Sequence, residues 1–209
     1  MKENDVKTEN TEEIEKTETE EAEATKEKAE KRSALQSAYD WIEITAISLA
    51  AVLLFLTFIA RITTVVGDSM LPTLHNGERL FVIRAGYTPK NGDIVVVQDD
   101  RSEINYPIVK RVIATGGQSV RFDFENWLVY VDGELLDEDY INKKDFVSMK
   151  SYGCPETVNV PEGYVFVMGD NRNGSTDSRD SRIGCVSVDD VIGKVAFRLA
   201  PFNKFGAVE

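Results

Sequence analysis

One uninterrupted apolar run limits what this chain can fold into more than any other feature. From Ile44 to Ala60 there are 17 consecutive residues without a charge, mostly Ile, Leu, Ala, Val and Phe. At about 1.5 Å rise per residue, a helix of this length nearly crosses the hydrocarbon core of a bilayer. Polar residues are almost absent from every face, which disfavours a helix buried in a soluble core. We therefore predict a single transmembrane helix over residues 38–61.

The residues around the run indicate its orientation. Trp41 suits one membrane interface, and Arg61 ends the run at the other. Four basic residues precede the run closely: Lys26, Lys28, Lys31 and Arg32. By the positive-inside rule the amino terminus is then cytoplasmic and the residues after 61 are extracytoplasmic. A cleaved signal peptide is the alternative, but 43 residues precede the run and no Ala-x-Ala closes it, so an uncleaved anchor is favoured.

Residues 1–37 are rich in Glu, Lys and Thr and nearly free of aromatic and large aliphatic side chains. Such a segment cannot bury enough apolar surface to offset its chain entropy. We predict a disordered, acidic cytoplasmic tail. A solvated single helix, supported by Glu and Lys at helical spacings, is the other interpretation.

Residues 62–209 show a different pattern, with short runs of Val, Ile, Phe and Tyr between Gly, Pro, Asn and Asp. This pattern predicts a mainly β domain of antiparallel strands, in which residues 118–160 form a smaller, variable subdomain. Asp132 and Gly133 suit a tight hairpin turn because both tolerate positive φ. The candidate strands are 79–83, 93–98, 108–115, 119–124, 127–131, 157–160, 164–168 and 191–197.

Charge and cysteine content exclude several classes of protein. The formal net charge is -12, and no basic face is left to bind phosphates, so we expect no nucleic acid partner. Cys154 and Cys185 are the only cysteines and do not cluster with the lone His75, so we expect neither a metal nor a cofactor. The two cysteines suit either one disulfide or two buried thiols.

Ser69 is a candidate nucleophile on a turn, and it needs a general base that removes the proton of its hydroxyl. The one histidine, His75, is only six residues away within the same turn segment, which is an awkward geometry for a Ser-His-Asp triad. A lysine can replace histidine if its ammonium is desolvated enough to lower its pKa by roughly two units. On a strand, Lys110 shares an apolar face with Ile108 and Val112, whereas Arg111 points to the other, solvated face.

Four segments, in this order, resemble the motifs of bacterial type I signal peptidases. They are residues 67–74 (GDSMLPTL), 92–96 (GDIVV), 109–117 (VKRVIATGG) and 169–179 (GDNRNGSTDSR). Each motif alone is a moderate signal, and a polar turn between strands would explain the composition of the fourth. All four together, following an apolar anchor and covering nearly all of residues 40–200, are a strong one.

The resemblance implies a role for each matching residue. Ser69 attacks the scissile carbonyl, and Lys110 takes its proton, as in known Ser-Lys variants of the catalytic triad. Ser175 matches a serine that orients the lysine, and Asp177 and Arg179 match a pair that supports the site. Some members carry a serine at the position of Gly67. Here the oxyanion would rest on the Ser69 backbone N–H and on a donor that Gly67 exposes.

The same resemblance implies a substrate: preproteins with small side chains at the first and third positions before the cut, as in Ala-x-Ala. The substrate would bind as an extended strand added to a sheet edge. Six residues near the two catalytic positions are candidates for the walls of its pockets, with ordinary core packing as the alternative. They are Val65, Val66, Met70, Leu74, Ile108 and Val109.

The expected enzyme is thus a plasma-membrane serine endopeptidase that acts on preproteins, as a monomer in the lipid bilayer near the secretion translocon. A Ser-Lys autopeptidase of the repressor type is a second interpretation, which the membrane anchor disfavours. A catalytically inactive, anchored interaction module is a third, which the presence of both Ser69 and Lys110 disfavours.

Overall fold

A computed structural model of the chain describes residues 36–55, 57, 59–98, 106–143 and 147–208. The predicted acidic tail, 1–37, lies almost wholly outside the described residues. Among the described residues, one helix, Gln36–Phe55 (α1), is long and apolar enough to cross a membrane. The predicted membrane segment extended to residue 61, but Ala60 and Arg61 belong to the first strand, where they pair with Ile83 and Val82.

The residues after the helix form two antiparallel sheets. In the larger sheet the strand order is β1-β2-β11-β3-β4-β9-β10, with β12 paired to β11, and in the smaller sheet it is β7-β6-β5-β8. The strands are Ala60–Thr64 (β1), Arg79–Ile83 (β2), Ile94–Val97 (β3), Ile108–Thr115 (β4), Ser119–Asp123 (β5), Leu128–Val131 (β6), Glu134–Leu135 (β7), Thr157–Asn159 (β8), Tyr164–Met168 (β9), Val186–Ser187 (β10), Val191–Ala200 (β11) and Gly206–Ala207 (β12). Three short 3-10 turns are Arg172–Gly174, Val188–Asp190 and Phe202–Lys204.

The prediction of a mainly antiparallel β fold is confirmed, and each of the eight candidate strand segments contains a strand. Asp132 and Gly133 form the predicted hairpin turn, with φ of 52° and 86°. The smaller sheet lies within residues 118–160. β7 lies outside the eight ranges, but the predicted hairpin turn implied a strand after Gly133. The other three strands were not predicted. β10 and β12 have two residues each, too few for an alternating pattern, and β1 begins inside the apolar run.

Strand β4 is buried on both faces. Its side chains contribute to three separate core clusters: Val109 to one, Val112 to the second and Ile113 to the third. Lys110 and Arg111 are consequently both 3% exposed. The prediction that Arg111 is solvated was wrong, because alternation places a side chain in water only when one face of the sheet is uncovered.

Cys154 and Cys185 are free thiols, and both are half-buried against the core cluster of the smaller sheet. Burial raises the pKa of Cys154 to about 11. The sequence left open one disulfide or two buried thiols, and in the structure both cysteines are free thiols.

Strand β11 holds the larger sheet together, since it pairs with β2, β3 and β12. Gly193 lies at a register shift between β11 and β3, and a Cβ there would overlap the backbone carbonyl of Ile83 on β2. We expect Gly193→Ala to lower the free energy of unfolding by about 1–3 kcal/mol, as overpacking does elsewhere. Denaturant unfolding of the detergent-solubilised chain, followed by tryptophan fluorescence, measures this loss.

Gly206→Ala is the matched control. It places the same methyl group in β12, where no heavy atom lies within 4 Å, so the unfolding midpoint should stay near that of the wild type. Equal unfolding midpoints for the two variants would contradict this prediction, since they would show that β2 and β11 can move apart without loss of stability.

Candidate active site

The turn that follows β1 presents Ser69. Met70 (1% exposed) and Leu74 (0%) are anchored in the core, and the Leu74 N–H donates to the Met70 carbonyl at 2.8 Å. Ser69 itself is only half-buried. The turn thus fixes its apolar side chains inside and leaves the serine hydroxyl accessible.

Lys110 reaches this hydroxyl from β4. Its Nζ lies 2.8 Å from Ser69 Oγ and also donates to the Val109 carbonyl at 3.0 Å. Burial lowers the pKa of Lys110 from 10.5 to about 8; the carboxylates of Asp177 and Asp170 partly oppose this effect, and Arg179 adds to it. Near neutral pH a fraction of the Lys110 side chains is therefore uncharged and able to accept a proton from a hydroxyl.

The loop after β9 holds the serine turn in place. The Asn171 backbone N–H donates to the Ser69 carbonyl at 3.0 Å, and its side-chain amide donates to the Asp68 carbonyl at 3.0 Å. Gly169 lies against the same turn, since a Cβ there would overlap both the Ser69 carbonyl and Ser175 Oγ. The absence of a side chain at 169 allows the loop and the turn to approach this closely.

Ser175 is 2% exposed and lies beside this contact. Within the part of the chain that the structure describes, its Oγ has no hydrogen-bond partner of normal geometry. The expected hydrogen bond from Ser175 to Lys110 is therefore not formed in this structure. The two hydrogen bonds of the lysine go to Ser69 and Val109.

Asp177 and Arg179 form a buried ion pair behind the lysine. Both side chains are 0% exposed, and the guanidinium donates from Nε and Nη2 to the two carboxylate oxygens at 2.9 Å each. Burial raises the pKa of Asp177, but Arg179 and the Gly169 N–H together lower it below its ordinary value. Asp177 therefore remains ionised close to the Lys110 side chain.

A second buried ion pair joins β4 to the loop after β9. Arg111 donates from Nε and Nη2 to the two oxygens of Asp170 at 2.9 and 2.8 Å. Thr73 Oγ1, from the serine turn, donates to the same carboxylate at 2.5 Å. Asp170 thus links three segments that each carry a residue of the site.

The backbone donors near Ser69 differ in availability. The Gly67 N–H donates to Asn76 Oδ1 at 3.0 Å. The Ser69 N–H has no acceptor among the described residues. Of these two N–H groups, that of Ser69 is the one without an acceptor among the described residues.

A cleft of about 200 Å³ lies over Ser69 and Lys110. Its lining residues are Thr63, Thr64, Val65, Val66, Gly67, Asp68, Ser69, Met70, Val96, Tyr106, Pro107, Ile108, Val109, Lys110, Gly174 and Thr176. The structure therefore places five of the six predicted wall residues at the cleft. The sixth, Leu74, lies in the core away from it.

Sequence reasoning gave no individual role to Asn171, Asp170 or Thr73, although all three lie inside the motifs that carried the resemblance. Their polar side chains at a turn were the available signal, but the sequence does not show which distant backbone groups they contact. His75 is not at the cleft; its side chain is 49% exposed and its Nδ1 lies 3.6 Å from Glu78.

Comparison with known proteins gives a consistent result. Residues 38–200 match the family described as signal peptidase, peptidase S26. Signal peptidase I of Bacillus licheniformis is 38% identical over 175 residues, which cover 80% of this chain and 91% of that protein. Signal peptidase IB of Staphylococcus aureus is 35% identical over 183 residues, covering 79% and 91%.

A solved structure is also similar. A signal peptidase I from Enterococcus faecalis is 27% identical and covers 53% of this chain and 98% of its own, with a TM-score of 0.44. From the family match over residues 38–200 and the identity to relatives that it covers almost completely, this chain belongs to the signal peptidase family, peptidase S26.

Proposed function

We propose that this chain is a membrane-anchored serine endopeptidase that removes signal peptides from preproteins, with Ser69 as nucleophile and Lys110 as general base. The observation that carries the proposal is the 2.8 Å contact between Lys110 Nζ and Ser69 Oγ. Burial of the lysine and membership of the signal peptidase family support it. No residue other than these two is required to transfer the proton.

The reaction runs in two halves. Neutral Lys110 accepts the Ser69 proton as Oγ attacks the scissile carbonyl, and the resulting ammonium then protonates the leaving amine. The signal peptide remains as an ester on Ser69. Lys110 next takes a proton from water, and the hydroxide attacks the ester carbonyl and breaks its bond to Ser69 Oγ. The Lys110 ammonium then returns the proton to Oγ, which frees the signal peptide and restores both residues. The Ser69 N–H stabilises the oxyanion in both halves.

The substrate lies extended in the cleft between two stretches of backbone, 63–66 and 106–109. β1 is at the end of the larger sheet, and no other strand of the described residues pairs with its outer edge, to which a peptide can add. Val65 and Met70 line the cleft, and we expect them to restrict the first and third positions before the cut to small side chains, as in Ala-x-Ala. The helix Gln36–Phe55, which is long and apolar enough to cross a membrane, anchors the enzyme. In this proposal, residues 62–209 are extracytoplasmic and the enzyme works as a monomer near the translocon.

Removal of either member of the Ser69–Lys110 dyad should abolish cleavage. Ser69→Ala lacks the attacking oxygen and Lys110→Met lacks the base, so each should lower kcat/KM by roughly 10⁴-fold. The assay incubates the detergent-solubilised chain with a purified preprotein and sequences the new amino terminus. Circular dichroism and a melting curve control for folding. Substantial cleavage by a folded variant would remove that residue from the mechanism.

The pH dependence of the reaction should report the pKa of Lys110. Because only the neutral amine acts as base, kcat/KM should rise about tenfold for each pH unit below 8 and level off above it, in line with the Lys110 pKa of about 8. Initial rates between pH 6 and 10 measure this profile at low substrate concentration. A profile that is flat from pH 6 to 8 would exclude a lysine base with this pKa.

The cleft also predicts substrate preference. Replacing the alanine just before the cut by leucine should lower kcat/KM about 100-fold, because a wall that includes buried Val65 and Met70 has little room for an isobutyl group. The same exchange one residue earlier, at the middle of Ala-x-Ala, is the control and should change the rate little. Similar rates for the unchanged preprotein and for both leucine variants would contradict the assignment of Val65 and Met70 to the pocket for the residue just before the cut.

A further inference from the structure

A short segment from the smaller-sheet region contacts both motifs that surround the dyad. The segment consists of residues 138–142, follows β7 and is called the latch below. It makes three polar contacts with these motifs. The Glu138 carboxylate accepts two hydrogen bonds from the Arg172 guanidinium, one of them at 3.0 Å. The Asn142 N–H donates to the Asp170 carbonyl at 3.1 Å. The Tyr140 ring lies under the Arg111 guanidinium, 3.8 Å from ring centre to Cζ.

Each contact reaches a residue next to the site rather than the site itself. Arg111 adjoins Lys110 in β4, while Asp170 and Arg172 stand on either side of Asn171, which holds the Ser69 turn. The latch itself is absent from the lining of the cleft, so it does not contact substrate there.

The ion pair between Glu138 and Arg172 is the strongest of these contacts. Arg172 is 0% exposed and the Glu138 side chain is 6% exposed. Burial lowers the pKa of Arg172, and the charge and hydrogen bonds of Glu138 reverse this effect, so that its pKa is raised overall. Without the Glu138 carboxylate, the buried guanidinium would have no ion-pair partner among the described residues, which is strongly unfavourable.

Two connections lead from Arg172 towards Lys110. Arg172 opens the 3-10 turn Arg172–Gly174, which leads directly into Ser175. Its backbone carbonyl accepts a hydrogen bond from Arg179, the partner of Asp177. Asp177 and Arg179 are in turn two of the charges that act on Lys110.

We infer that Glu138 is a positioning residue for Lys110, acting through Arg172 to keep the loop after β9 closed over the lysine. The inference rests on the proposed function, in which Lys110 is the general base. Loss of the carboxylate releases Arg172 from the interior, the loop moves with it, and water reaches the lysine. Lys110 then loses part of the desolvation that lowers its pKa.

Glu138→Ala and Glu138→Gln test this inference in the full detergent-solubilised chain. For Glu138→Ala we expect kcat at pH 7 to fall roughly 10- to 100-fold with KM changed less than about twofold, since an outer support is lost and not a substrate contact. The pH of half-maximal kcat/KM should rise by about 0.5–1. Glu138→Gln keeps an acceptor for Arg172 and should recover part of both losses.

Asp139→Asn is the matched control, because it removes one negative charge from the adjacent, exposed residue and should leave the pH profile unchanged. Active-site titration separates a lower rate from a smaller folded fraction. A folded Glu138→Ala enzyme with a wild-type pH profile would overturn the inference. If that variant does not fold, Glu138→Gln decides by the same measurement, and a wild-type profile there overturns it equally.

Failure of the inference and failure of the proposed function give different results. Cleavage by folded Ser69→Ala or Lys110→Met would overturn the dyad, whatever the Glu138 variants do. An inactive dyad variant together with an unchanged profile in Glu138→Ala would overturn the positioning role alone.

Discussion

An amine can accept a serine proton near neutral pH only where burial has lowered its pKa, and Lys110 meets this condition because β4 is covered on both faces. The lysine is 3% exposed and its pKa is lowered to about 8. Burial of an ammonium group is unfavourable unless other groups offset it. Much of the surrounding structure follows from that requirement.

The groups that offset it are themselves buried charges. Asp177 and Asp170 raise the pKa of Lys110 and keep the effect of burial from becoming too large. Each of these carboxylates is paired with an arginine, Asp177 with Arg179 and Asp170 with Arg111. Replacing such pairs by apolar side chains often costs no stability, so a stabilising role does not account for them. Their geometry accounts for them, because the two parallel hydrogen bonds of a bidentate pair fix the relative orientation of the two segments that carry its side chains.

The strands and the hairpin turn could be predicted from the sequence because their signals are local. The contact between Ser69 and Lys110, which are 41 residues apart, was expected from four motifs taken together and not from a local signal. Alternating Val and Ile predict β4 whatever lies around it, and Asp132-Gly133 predicts a turn by its own φ preferences. Burial of Arg111 could not be predicted in this way. It depends on Asp170, which is 59 residues away, and on a second layer that covers the other face of the strand.

The same limit applies to Gly67 and Ser175. The sequence made Gly67 a candidate for exposing an oxyanion donor, but its N–H is taken by Asn76, nine residues further along the chain. Ser175 was expected to bind the lysine, but its Oγ makes no hydrogen bond among the described residues and lies against Gly169, beside the serine turn. In both cases the residue type was informative, whereas the partner was decided by tertiary contacts that no local pattern contains.

The two sheets contribute to the site in different ways. The larger sheet carries Lys110 on β4, and Ser69 follows its first strand, so both residues of the proposed dyad are positioned by the same hydrogen-bonded framework. The smaller-sheet region contributes through its latch, whose contacts fall on Arg111, Asp170 and Arg172. The Lys150 carbonyl, from the same region, accepts a hydrogen bond from Arg179, and side chains of β4 and β9 share one core cluster with the smaller sheet. A change in the smaller sheet can therefore reach the proposed dyad through this shared core as well as through the latch.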